Sequence, residues 1–363
     1  LPLGSAGAIL GVSIGSVVSL GYMVVYKRRH TSQLAAPYTG GHAPDDTPED
    51  DNVVDSTGKI VKDILRIGVP IAFGACIMAL LNSVDSKLCM NRLQSAAGFT
   101  YKEAKVLYGV YGKGQTLFNL PAAFVTPLTI SIVPAISGAI ARGAKGEAVK
   151  VSEDSLRISA VISLPMGAGL AILAAPIFDV LFPNSHKAGP GLLCIMGIAS
   201  FFVCLVLMEN AILQASGREK LTMVTMITGG LVKIVVNWFL VANRAVNIYG
   251  APIGTLVSYF VMAAMNYIFM SSSLENRPRL SRAFARPAAS SLIMGAAAWL
   301  VYGAAARIFG LGSSVKAVVC LGTAVLAAAA VYLAATISLK SITIKDMELI
   351  PGGEKIGKIL KMH

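Results

Sequence analysis

Charge is scarce in this 363-residue sequence: Asp, Glu, Lys and Arg make up 14% of it, against 55% hydrophobic residues. A soluble domain carries roughly one quarter charged residues, so water is not the main solvent of this chain. Histidine is scarcer still. His30, His42, His186 and His363 are scattered, which excludes a histidine-based zinc motif. The five cysteines, Cys76, Cys89, Cys194, Cys204 and Cys320, all lie within apolar runs with no CxxC and no paired spacing. They read as small lipid-compatible core residues, without a disulfide framework or a metal site. There is no GxSxG, no Walker loop and no dinucleotide-binding fingerprint. The sequence therefore gives no reason to expect an enzyme, a cofactor or a bound metal.

What the chain does have is long apolar runs. A bilayer-spanning helix needs about 20 of them in a row, and the sequence predicts an all-α polytopic membrane protein with about nine such helices. Their expected limits are Leu3 to Tyr26, Ile64 to Leu88, Val106 to Ile140, Ile158 to Phe178, Gly189 to Ala215, Leu221 to Val241, Ala251 to Met270, Ala288 to Ile308 and Val315 to Leu339. The acidic, Pro- and Gly-bearing stretch TSQLAAPYTGGHAPDDTPEDDNVVDSTGK between the first two reads as a linker. Pro70, Pro121, Pro134 and Pro165 are expected as kinks within helices rather than ends, because neighbours in a membrane bundle can satisfy the freed carbonyls.

The formal charge of +12 would suggest a nucleic-acid partner in a soluble protein, but here the bases sit in short clusters between apolar runs. That pattern points to anionic lipid headgroups and not to nucleic acid. Connections on one side of the predicted bundle hold 21 Lys and Arg residues, among them Lys27, Arg28, Arg142, Lys145, Arg218, Arg277 and Lys355, while the other side holds eight. The positive-inside bias places the richer side in the cytoplasm, together with the linker and the C-terminal tail. The first apolar run starts without Met and lacks a basic n-region and a clear cleavage site, so the chain is expected to be a fragment missing its N-terminal portion.

Polar groups inside spans are functional candidates, since lipid-facing helices do not need them. Asn82 and Asp85 share a helix face in LLNSVDSKLCMNRLQ, where Asp85 could equally pair with Lys87 or Arg92 near the surface. Gln115 and Asn119 are four apart, just before Pro121, and offer amide groups suited to a sugar. Lys113, near the outer end, is expected to snorkel. In LVLMENAILQASGREK, Glu209 lies more than a turn inside the span and needs a partner, while Asn210 and Gln214 form another i,i+4 pair. Lys233 and Asn237 share a face in GGLVKIVVNWFL. Lys233 stands near mid-span, where an ammonium costs about 2.5 to 3.5 kcal/mol. It is either a cavity residue or the structural partner of Glu209 on the preceding span.

Three passages resemble a known family: ILRIGVPIAFGACIMALLNSVDSKLCMNRLQSAAGFTYKEAKVLYGVYGKGQTLFNLP with its continuation TISIVPAIS; ASGREK through KIVVNWFL to IYGAPIGT; and the tail ITIKDMELIPGGEKIGKIL. The chain resembles the polysaccharide-biosynthesis and stage V sporulation protein B-like branch of the multidrug/oligosaccharidyl-lipid/polysaccharide (MOP) exporter superfamily. The resemblance implies two six-helix lobes facing a central cavity, often with two extra C-terminal helices, and alternating access. Residues 1–30 would then hold the last helix of an N-terminal lobe and 31–60 a cytoplasmic interlobe linker. Residues 61–272 would form the C-terminal six-helix lobe, 273–340 the two extra helices and 341–363 a cytoplasmic tail, with most of the N-terminal lobe missing. Where the superfamily's lipid II flippases place a cavity arginine, the matching helix here offers Gln115 and Thr116. The implied function is flipping of a lipid-linked oligosaccharide or peptidoglycan precursor in the bacterial plasma membrane. Its implied partners are the lipid-linked glycan, membrane lipids, a coupling ion (H+ or Na+) and the missing N-terminal lobe. A multidrug/cation antiporter of the same superfamily, coupled through an acid such as Asp85, is the alternative. A membrane glycosyl-polymerase fits less well, because the outer loops are short and lack clustered carboxylates, Arg and His.

Overall fold

A computed structural model describes residues 83–273, 280–310 and 314–339, together with Gly15, Val18, Ser19, Gly21 and Tyr22. The chain divides into two compact units, Leu1–Lys62 and Asp63–His363. In the first unit the five described residues are helical and exposed. The rest of the first expected span, the 31–60 linker, most of the second span with Pro70 and Asn82, and the 341–363 tail lie outside the described residues.

In the second unit the described residues form helices and turns, with no strand among them. They are α1 (residues 83–95), α2 (Tyr101–Phe118), α3 (Leu120–Ala141), α4 (Lys145–Ile172), α5 (Ala174–Leu181), α6 (Gly189–Ala215), α7 (Glu219–Leu240), α8 (Gly250–Ser273), α9 (Leu280–Phe309) and α10 (Ser314–Ser338). A single 3-10 turn, Asn247–Tyr249, leads into α8. Among the described residues seven helical stretches are long and apolar enough to cross a membrane, and they match the last seven expected spans. The chain is a multi-pass helical membrane protein.

Helix ends depart from the apolar limits in an instructive way. α1 continues past Leu88 through Ser95, and α4 begins at Lys145, thirteen residues before the expected start at Ile158. Lys145, Lys150 and Arg157, expected in a connection, are therefore helical. Charge marks where a helix leaves the apolar phase; backbone hydrogen bonding continues as long as local pairs support it. Here Arg157 meets Asp154 at 3.0 Å, one turn away. The run expected from Val106 to Ile140 is two helices meeting at Asn119, with Pro121 in the first turn of α3 where its missing N–H costs nothing. α2 itself starts at a capping box: Thr100 Oγ1 accepts from the Glu103 N–H at 3.4 Å, and Glu103 Oε2 accepts from the Thr100 N–H at 2.9 Å. Pro127, Pro134 and Pro165 stay inside continuous helices.

α6 is the axis of the unit. It is predominantly apolar, the most enclosed of the described spanning helices, and α2, α3, α4, α5 and α8 all pack on it. One core gathers Leu93, Leu107, Tyr111, Phe178, Leu192 and Met196 around its N-terminal half. A second gathers Ile132, Ile136, Leu156, Met208, Ile212 and Met262 around its C-terminal half. α9 and α10 pair with each other and lie against α4, where Leu173, Met294 and Ala298 form a smaller core and the Tyr332 hydroxyl donates to the Val161 carbonyl at 2.5 Å.

α4 and α6 approach each other backbone to backbone. A Cβ on Gly167 would lie 2.7 Å from the Gly197 carbonyl oxygen, and one on Gly197 would lie 2.6 Å from the Ala171 nitrogen. Such small-residue contacts hold membrane helices together where lipid offers no hydrophobic drive. Gly169, on the same helix, has nothing within 4 Å. We expect Gly197→Ala to cost about 1–3 kcal/mol, read as a lower thermal midpoint in detergent, with Gly169→Ala close to neutral. Equal midpoints for the two variants would refute the contact.

Candidate functional site

The position of Lys233 follows from helix geometry. α6 ends at Ala215 and α7 starts at Glu219, so Glu209 lies six residues from that turn and Lys233 fourteen. At 1.5 Å per residue the two stand about 9 and about 21 Å from it, roughly 12 Å apart in depth. The pairing of Lys233 with Glu209 is thus corrected: Lys233 reaches Asp85 on α1 instead, Nζ to Oδ2 2.9 Å. Asp85 is also not the partner of Lys87 or Arg92, because it turns inward.

Spacing on both helices builds the rest. Asp85, Cys89 and Arg92 are four and three apart and share one face of α1. Lys233 and Asn237 are four apart on α7. The Asn237 amide donates to Asp85 Oδ1, and the Cys89 thiol lies 3.9 Å from the same oxygen, so both carboxylate oxygens are engaged. One turn further along, the Arg92 guanidinium stacks 3.7 Å over the Trp238 ring and its Nε donates to the Trp238 carbonyl at 3.2 Å. Tyr111 and Tyr259 lie within electrostatic range of the ammonium. Tyr111 also shares a hydrogen bond with Thr255 on α8 at 3.4 Å. The side chains are 7% exposed for Asp85 and 15% for Lys233, so the pair is largely removed from the surroundings of the bundle. On α8, Gly254 leaves the space that the Asn237 amide fills; a Cβ there would overlap it. The Asp85 and Lys233 charges offset each other, and the cluster is polar within an apolar bundle.

The remaining expected residues do not join it. Glu209 is fully enclosed on α6, and neither carboxyl oxygen completes a hydrogen bond, although the Asn266 side chain on α8 lies alongside. Asn266 donates to Asn210 Oδ1 at 2.9 Å, giving a second polar contact between α6 and α8. Gln115 is half-buried, Asn119 and Gln214 are exposed, and Asn82 lies outside the described residues. Among the described residues no group of three or more His, Cys, Asp and Glu side chains is arranged for a metal. Sequence reasoning missed Asn266, Tyr111, Thr255 and Gly254. Asn266 sits in AAMNYIF as a lone amide in an apolar run, the same signal that singled out Asn237.

Removing one partner of a buried pair leaves an uncompensated charge, which costs about 3–5 kcal/mol. Asp85→Asn and Lys233→Met should each destabilise by that order, and the double variant by less than the sum. Thermal or denaturant unfolding in detergent measures the cycle, and strict additivity would show that the two groups do not interact.

The sequence profile described as "Lipid II flippase MurJ" matches residues 108–320, more than half of the chain. The "Uncharacterized membrane protein YabM" of Bacillus subtilis (strain 168) is 26% identical over 317 residues, covering 86% of this chain and 57% of that protein. The lipid II flippase MurJ of the same organism is 20% identical over 266 residues, covering 72% of this chain and 46% of its own length. The chain spans about half the length of these curated relatives. Among solved structures, an outward-facing multidrug resistance MATE family transporter of the MOP superfamily aligns with TM-score 0.46 at 18% identity, over 82% of this chain and 69% of that one. A MATE in complex with Br-NRF aligns with TM-score 0.46 at 19% identity, over 77% and 67%. The profile match, over more than half of the sequence, settles the family: this chain belongs to the lipid II flippase MurJ family.

Proposed function

We propose that the chain forms the C-terminal lobe and accessory helices of a flippase that carries a lipid-linked oligosaccharide or peptidoglycan precursor across the bacterial plasma membrane by alternating access. The observation that carries this reading is the Asp85–Lys233–Asn237 cluster inside a bundle of the lipid II flippase family. Lys233 and Asn237 supply a cation and an amide, the donors that a phosphorylated sugar headgroup accepts from. Asp85 holds the ammonium in place between turnovers, and headgroup binding competes for it. The same contact disfavours the antiporter alternative, since a carboxylate already neutralised by a lysine is not free for a coupling cation. A companion N-terminal lobe completes the cavity, and a coupling ion, H+ or Na+, belongs to the proposal without an assigned site.

Cells depleted of their own lipid II flippase test this. The protein containing this chain should relieve the accumulation of precursor in the inner leaflet. Lys233→Met at equal membrane levels should slow that relief by at least about tenfold, the effect of losing one charge-assisted hydrogen bond to the headgroup. Precursor levels that ignore the protein altogether would sink the flippase reading; full activity of Lys233→Met would remove the cluster from it.

Orientation is the second part of the proposal, supported by the lysine and arginine asymmetry. In a background without native cysteines, Lys187→Cys should react with an impermeant maleimide on intact cells, and Lys145→Cys only after lysis. The reverse pattern would invert the topology.

A further inference from the structure

A cavity of about 540 Å3 opens where three connections meet: the start of α2, the α5–α6 loop and the turn before α8. Its size falls within the range of small-molecule sites, roughly 300–1,000 Å3. The apolar wall is Phe99, Leu107 and Tyr249. Tyr249 stands there because Gly191 makes room for it; a Cβ on Gly191 would lie 2.7 Å from its ring. Asn247, in the left-handed region at φ 42°, closes the turn that presents Tyr249, with its Oδ1 accepting from the Ile248 N–H at 2.6 Å.

The rim is basic. Lys102 and Lys187 line the cavity, and His186 accepts the Ala188 N–H on Nδ1 at 3.2 Å, which puts the ring proton on Nε2 as a donor. Glu103 is the acid among the lining residues, and its Oε2 accepts from the Thr100 N–H and hydroxyl at 2.9 and 2.8 Å, which ties the carboxylate to the start of α2. The rim thus sets two ammonium groups and an imidazole N–H against one carboxylate. Depth adds a further constraint. Lys102, Ala188 and Asn247 lie within one residue of the first residues of three spanning stretches, Tyr101–Ala141, Gly189–Ala215 and Asn247–Ser272. The starts of the two stretches of single-span length, at Gly189 and Asn247, put the rim where an apolar span meets the lipid headgroups.

We propose that this pocket binds the phosphate of an anionic membrane lipid, with Lys102, Lys187 and the His186 Nε2–H on its oxygens and Tyr249 and Phe99 against the glycerol and first methylenes. The site is separate from the Asp85–Lys233 cluster and stands whatever the protein carries. It is tested on the purified chain, by native mass spectrometry after reconstitution with mixed phosphatidylglycerol and phosphatidylcholine. Retained phosphatidylglycerol should fall about tenfold or more in the Lys102→Gln/Lys187→Gln double variant, and hold in a Lys105→Gln/Lys316→Gln control of equal charge, with unchanged melting. Equal loss in both would mean diffuse attraction and overturn the site. Inorganic phosphate that binds without lipid and displaces phosphatidylglycerol would assign the pocket to a free phosphate compound and overturn the lipid.

Discussion

The need to compensate charge away from water governs how this bundle is put together. An ammonium on α7 and a carboxylate on α1 are each unfavourable alone in an apolar surrounding, and together they hold two helices that are far apart in the sequence. The contact is reinforced on both sides of the pair. Asn237 occupies the second carboxylate oxygen, and Arg92 clamps the next turn of α1 onto Trp238. Even Gly254 on α8 belongs to this arrangement, since the space it leaves is the space the amide uses.

Around that contact the fold is arranged by packing. α6 is buried over most of its length because most of its residues are apolar, and the two cores around its halves are made by helices that close over it. Where α4 meets it, glycines replace side chains and the backbones touch. α9 and α10 lie at the edge of this arrangement, held mainly through α4, with Phe284 of α9 packing edge-on against Phe201 of α6. The second polar contact, Asn210 with Asn266 beside the enclosed Glu209, ties α6 to α8 toward the other end.

The apolar runs, the polar residues inside them and their i,i+4 spacing were readable in the sequence. Gly189–Ala215 is bounded where its composition changes, and the faces shared by Lys233 with Asn237 follow from 3.6 residues per turn. Helix length beyond the membrane was not readable from hydropathy, because residues such as Lys145 and Arg157 satisfy the backbone of a helix as well as they would a loop. Partner choice was not readable either. Adjacent spans suggested Glu209 for Lys233, but depth along antiparallel helices separates those two and brings Asp85, 148 residues away in the chain, to the ammonium. Local periodicity is a property of one helix, and so the sequence by itself determined the seven spans that the described residues hold, the faces within them and the family. Which faces meet depends on depth, rotation and the room left by glycines such as Gly197 and Gly254, and these only the packed bundle decided.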